Sequence, residues 1–143
     1  MGKHGVGMPA AIYLDHFGQI VRDTFDAMPY QVGSSLDTTE WRDVDVRVIL
    51  SDAEYEAWGF GDPEHTHCNA RWVSLTLAFS ALGRHMTGLP IDFQIQQQTR
   101  ANAMYKGVRN ALSIHAELSR RAEYNPPLFA VALPSNTGED SNG

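Results

Sequence analysis

The sequence predicts an α+β fold of the sandwich type found in α/β proteins, a small mixed β-sheet flanked by helices. Three observations lead there. Apolar residues recur at steps of three and four in two long stretches, Leu14, Phe17, Val21, Phe25 and Met28, then Trp72, Leu75, Phe79, Leu82 and Met86. Each is the core-facing stripe of a helix. Two shorter stretches, 43–50 and 90–96, alternate between apolar and polar or charged positions, broken only at Ile49, as half-buried strands do. The strands are also too closely spaced for right-handed crossovers to join all of them, so the sheet is expected to be mixed.

Bulk properties bound the class. A chain of 143 residues is one domain's worth, and it buries about two thirds of its unfolded surface, enough for a core without staples. Hydrophobic residues make up 43% and charged residues 20%, the balance of an ordinary globule. A net charge of -6 argues against a broad basic surface for nucleic acid. The single cysteine, Cys68, excludes an internal disulfide and fits a reducing compartment. No apolar run approaches the ~20 residues needed to span a bilayer. Met1 to Gly7 lacks the apolar core of a signal peptide. These features point to a cytoplasmic protein that does not engage a membrane.

Taken in order, residues 1–9 are glycine-rich and read as a flexible N-terminus, 10–133 as one domain, and 134–143 as a disordered tail. A helix from Ala10 to Met28 ends at Pro29. Tyr30 to Val32 is a short strand entering the Gly33-Ser34-Ser35 turn, and Leu36 to Arg42 is a loop. Asp43 to Leu50 is the clearest strand. Val44, Val46, Val48 and Leu50 share its core face, with Asp43, Asp45, Arg47 and Ile49 on the other. Ser51 with Glu54 forms a capping box for a short helix to Trp58. Gly59 to Pro63 breaks it, a polar loop holds Glu64 to Asn69, and the second long stripe closes near Gly88. In the strand from Pro90 to Gln96, Ile91, Phe93 and Ile95 face the core and Asp92, Gln94 and Gln96 face away. A further helix is expected over Gln98–Glu123, with Met104, Val108, Leu112, His115 and Leu118 as its stripe. Leu128 to Leu133 is expected to add an edge strand or packed extension.

The chemistry concentrates on the face opposite the core. Asp43 and Asp45, two residues apart on a strand, point the same way with Cβ atoms ~6.5–7 Å apart. Asp92 on an adjacent strand comes within ~5 Å of one of them. Converging like charges repel unless a cation sits among them. Mg²⁺ suits such a set, because it uses one or two carboxylates plus substrate phosphates. A pair of such ions ~3.5–4 Å apart clamps the attacking and leaving oxygens of a phosphoryl displacement. Gly33 lets backbone approach a phosphate, whose oxygens backbone N–H groups and the Ser34 hydroxyl can hold.

A Gly-Ser turn, an Asp-apolar-Asp-apolar strand and a further acid on a neighbouring strand resemble the signature of the nucleotidyltransferase superfamily that includes DNA polymerase β. The similarity covers about residues 14–96, carried by Gly33-Ser34, Asp43-Val44-Asp45-Val46 and Asp92. It implies a minimal, single-domain member with the nucleotidyltransferase fold. Such an enzyme transfers a nucleoside monophosphate from a nucleoside triphosphate to an acceptor hydroxyl and releases pyrophosphate, using Mg²⁺ or Mn²⁺. By the same resemblance Asp43 and Asp45 are paired metal ligands, and Asp92 is the general base or a ligand of the second metal. Gly33, Ser34 and Ser35 bind the nucleotide's phosphates. Arg47 either contacts the triphosphate or pairs with Asp45. The acceptor is a small molecule, a protein side chain or an RNA end, with a long nucleic acid least favoured by the charge. The alternative is a non-catalytic module acting through a helical partner protein, as in toxin–antitoxin pairs, or as a homodimer. A metal-dependent phosphohydrolase is a third reading.

Other features carry less. His65-Thr66-His67-Cys68, preceded by Asp62 and Glu64, has zinc-type residues but no second ligand pair, and a polar loop is the plainer account. Arg100, Lys106 and Arg109 either steer an anion or form a solvated face. Gln94, Gln96, Gln97 and Gln98 beside Asp92 offer amides to a ligand, or simply end an exposed strand. His115 reads as a core histidine.

Overall fold

The computed structural model describes residues 6–33 and 42–113. Its elements run α1 (Ala10–Phe25), β1 (Pro29–Val32), β2 (Val44–Leu50), α2 (Asp52–Ala57), a 3₁₀ turn (Thr66–Cys68), α3 (Ala70–Thr87), β3 (Ile91–Gln97), α4 (Gln98–Met104) and β4 (Asn110–Ala111). The four strands form one sheet in the order β3-β2-β1-β4. β2 and β3 are parallel, and β1 is antiparallel to β2 and to β4, so the sheet is mixed and the fold α+β as expected.

The period-two pattern decides which face is inside. Val44, Val46, Val48, Leu50, Ile91 and Phe93 are wholly buried, whereas the residues between them are half exposed. The buried face is covered by α1, through Leu14, Phe17, Val21 and Phe25, and by α3. Phe25 is the hub, with ring centroids 5.1 Å from Trp58, 5.4 Å from Phe79 and 6.1 Å from Phe93. The buried positions of α3 are Thr76, Ser80, Gly83 and Thr87, flanked by the apolar stripe, whose residues are only partly buried. Small side chains there bring the helix axis close. A Cβ at Gly83 would lie 3.0 Å from both Ile91 and Phe17.

β3 is an edge strand, and α3 covers its free edge. Trp72 Nε1–H donates to the Ile95 carbonyl at 2.9 Å, and Arg84 Nε–H to the Ile91 carbonyl at 3.0 Å. Between them Ser80 Oγ accepts from Phe93 N–H at 3.0 Å. Backbone groups that would otherwise template further pairing are thereby occupied. The capping box forms as expected, with Ser51 Oγ accepting from Glu54 N–H at 3.2 Å and Glu54 Oε1 from Ser51 N–H at 3.4 Å. Asp52 then caps a second helix at a distance, accepting from Thr99 N–H at 3.1 Å and from the Thr99 hydroxyl.

The helix expected over Gln98–Glu123 is corrected. It ends at Met104, and Tyr105 is extended. Met104 and Val108, expected on the buried stripe, are 68% and 73% exposed, while Leu112 is buried. The free antiparallel edge of β1 offers Asn110 and Ala111 strand partners in Gln31 and Tyr30, and Gly107 weakens helix propagation. Residues 114–123, with His115 and Leu118, lie outside the described residues, as do the expected strand at 128–133 and the two termini at 1–5 and 134–143. Among the described residues no helix is long and apolar enough to cross a membrane.

Replacing Ser80 by alanine leaves the buried Phe93 N–H without its acceptor. The expected cost is about 1–3 kcal/mol, read as a lower urea midpoint at unchanged slope. An unchanged midpoint would show that α3 does not fasten the β3 edge.

Candidate functional site

Register assembles the site. In the β2–β3 ladder Asp45 is the direct partner of Asp92, and in the β1–β2 ladder Val32 is the partner of Asp45. Gly33, which follows Val32, therefore arrives beside the Asp45 carboxylate. Its φ of +84° lies in the left-handed region, and a Cβ there would overlap Asp45 Oδ2, so glycine is required both for the bend and for the close approach. Asp43 stands just before β2 and is exposed. Gly33, Asp43, Asp45 and Asp92 are thus brought to one end of one sheet face. Ser34 and Ser35 lie outside the described residues.

Arg47 sits between the two paired acids. Its side chain is 13% exposed, with Nη2 3.6 Å from Asp45 Oδ1 and 3.5 Å from Asp92 Oδ2. Nη1 donates to the Asp92 carbonyl at 2.8 Å and to the Val46 carbonyl at 3.1 Å. Of the two roles expected for Arg47, pairing with Asp45 is present, and Asp92 shares it. Even so, the charge balance leaves Asp45 short of compensation. Burial pushes its carboxyl above the usual aspartate range. Arg47 opposes that shift, while the charges of Asp92 and Asp43 and a hydrogen bond with the Asp92 side chain add to it.

Among the described residues no three His, Cys, Asp or Glu side chains gather as a metal cluster. The His65-Thr66-His67-Cys68 loop organises itself instead. Asp62 accepts from Glu64 N–H at 2.9 Å and pairs with His65 Nδ1 at 2.7 Å. These contacts hold the exposed Asp62 carboxyl below the usual range, the backbone bond first and the histidine next. Cys68 is exposed. Arg100 pairs with Glu64 at 3.2 Å, and Arg109 Nη2 caps the end of α4 through the carbonyls of Ala101 and Tyr105. Lys106 remains an exposed cation.

Tyr105 is a participant that no sequence motif marks. Its hydroxyl accepts from Gly33 N–H at 3.4 Å and donates to the Val108 carbonyl at 2.9 Å, tying the segment after α4 to the glycine turn. Comparison with protein-family models, with characterised proteins and with solved structures finds no match for this chain.

Because the folded chain raises the Asp45 pKa, it binds that proton more tightly than the unfolded chain does. Ionising Asp45 therefore costs stability, and the cost appears as pH rises from 3.8 to the higher folded value. Asp45→Asn is expected to unfold no more easily than wild type at pH 7, with a urea midpoint equal to or above it. The gap closes below the ordinary aspartate pKa. Denaturation at several pH values checks this, and a clear loss at pH 7 would mean that the Arg47 pairing outweighs the strain.

Proposed function

We propose that this chain is a metal-dependent nucleotidyltransferase, moving a nucleoside monophosphate from a nucleoside triphosphate to an acceptor hydroxyl with release of pyrophosphate. The observation that carries the reading is the pairing of Asp45 with Asp92 across parallel strands, with Gly33 closed over Asp45. Acids far apart in sequence and a glycine turn meet on the half-exposed sheet face, where a substrate can reach them.

The donor chemistry fits Mg²⁺ or Mn²⁺. Hard oxygen ligands from one or two carboxylates, completed by substrate phosphates, are what Mg²⁺ commonly uses. Asp45 and Asp92 would hold the ion, with substrate phosphates completing it, since Asp43 at the strand entrance does not gather with them as a third ligand. Bound there, a divalent cation would neutralise charge that develops on the transferred phosphoryl group. The remaining work belongs to the chain. Asp92, whose side chain is 39% exposed, is the acid best placed to take the acceptor's proton. Arg47 reaches both Asp45 and Asp92, offsetting part of their charge, and offers guanidinium donors to phosphate oxygens. The glycine turn keeps side-chain bulk away from Asp45.

Arg47 also favours a second reading. It partly neutralises both carboxylates without any ion, the arrangement expected of a non-catalytic module that binds nucleotide or a partner protein through the same face.

Incubation with each radiolabelled nucleoside triphosphate and Mg²⁺ or Mn²⁺ tests both. Transfer predicts pyrophosphate release with label on an acceptor, on total protein, on tRNA or on the chain itself. Asp45→Asn and Asp92→Asn are each expected to lower the rate at least about a hundredfold. A nucleotide-dependent thermal shift without turnover supports the binding module, and release of inorganic phosphate supports hydrolysis. Neither turnover nor a shift with any nucleotide–metal pair would sink the enzyme reading.

A further inference from the structure

Past Asp92 the same face of β3 carries Gln94 and Gln96, at a spacing of ~6.5–7 Å per two residues. They form one wall of a cavity of about 260 Å³, whose other sides include Tyr55, Thr66, Trp72 and Arg100. That volume lies just below the ~300 Å³ at which small-molecule sites begin, so only a small guest fits.

The lining specifies its occupant. Its charges are already matched, since Arg100 Nη1 lies 3.2 Å from Glu64 Oε2, so a charged guest would have to break a pair to gain one. Its free hydrogen-bonding groups are neutral. Among the described residues no hydrogen bond occupies the side-chain amides of Gln94 and Gln96, each of which offers both donors and acceptors. Tyr55 is 1% exposed and its hydroxyl has no partner among the described residues. Such a group costs about 1–3 kcal/mol when left bare, and native interiors seldom keep one. Trp72 spends its indole N–H on Ile95, so it gives the cavity ring surface rather than a donor. Amides and hydroxyls that both give and accept, set around an apolar ring, complement a molecule whose hydroxyls do the same around a carbon skeleton.

The sheet order says what such a molecule would do. Gly33 follows β1, the acids stand on β2 and β3, and the cavity lies further along edge strand β3. The acids therefore separate the glycine turn from the cavity. We infer that the cavity holds the acceptor, a small uncharged polyhydroxylated molecule of about monosaccharide size, and turns one of its hydroxyls toward Asp92. The acceptor role rests on the transferase reading, whereas binding of the molecule does not. In the transfer the acceptor oxygen forms a bond to the α-phosphorus of the nucleoside triphosphate. Its proton passes to the Asp92 carboxylate, and the bond from the α-phosphorus to the bridging oxygen breaks to release pyrophosphate.

The test uses the full chain and five probes of similar size. Two are neutral polyols, myo-inositol and methyl glucoside. Glucosamine, glucuronate and adenosine supply a cation, an anion and a planar heterocycle. Titrations followed at the Trp72 indole N–H resonance are expected to show the neutral polyols binding in the millimolar range or tighter, and ahead of the other three. Tyr55→Phe is expected to weaken that binding about three- to tenfold, one hydrogen bond's worth, while leaving the unfolding midpoint unchanged or higher. Gln96→Leu weakens it similarly. A merely structural tyrosine would lower the midpoint and leave the affinity unchanged. Preference for a charged probe or for adenosine, or binding indifferent to both variants, overturns the proposal. If the polyols bind and no nucleotide is turned over, the transferase reading fails and the cavity stands as a polyol site. If nucleotide is turned over while the polyols neither bind nor take label, the cavity proposal fails alone.

Discussion

The parallel pairing of β2 with β3 is the constraint on which the rest depends. One register places Val44, Val46 and Val48 beside Ile91, Phe93 and Ile95 on the inner face, and Asp45 beside Asp92 on the outer one. A one-residue slip would turn Phe93 outward and Asp92 into the core, so the hydrophobic pattern excludes it. Three side chains of α3 fasten the other edge of the same strand. Core packing and the meeting of the two acids are thus a single event, and the acids need no contact of their own to find each other.

Their meeting is electrostatically incomplete. Arg47 is placed by the same alternation, two residues after Asp45, and its guanidinium reaches both carboxylates at salt-bridge distance. One cation facing two paired acids, with Asp43 near, leaves excess negative charge on a partly buried face, and burial together with those charges pushes the Asp45 carboxyl above the usual aspartate range. Sites that keep such a cost commonly use it for a ligand. A cationic or metal-bearing guest, as the proposed function requires, would lower that cost on arrival.

The first three strands, the first two long helices and the capping box were legible because each is written in local spacing, whereas β4 was not. Asp45 and Asp92 were legible as a pair because a period of two fixes the face each occupies. The helix over Gln98–Glu123 was misread because Met104, Val108 and Leu112 do fall at helical intervals. What overrode that spacing was the vacant edge of β1, which lies far off in sequence. Similar non-local contacts hid Tyr105 against Gly33 and Asp52 against Thr99. On α3 the failure was of another kind. The residues that touch the sheet most closely are Thr76, Ser80 and Gly83, and a search for apolar stripes passes over them, although closeness is what small residues supply. In the His65-Thr66-His67-Cys68 run, the contact that organises the loop is the pairing of His65 with Asp62, three residues earlier.

The outer face of β3 also works as a ruler. Asp92, Gln94 and Gln96 follow one another on it, an acid and then two amides, at ~6.5–7 Å steps set by the strand itself. A guest held by the amides meets the acid about one small ring away, a distance fixed by backbone geometry rather than by a mobile loop. The opposite side of Asp45 is closed by a glycine turn whose bend and close approach tolerate no side chain. Two partners that approach from these two sides can meet only over the paired acids. The separation of amide row, acid pair and glycine turn is the layout that the proposed transfer needs, with one molecule on each side of the paired acids.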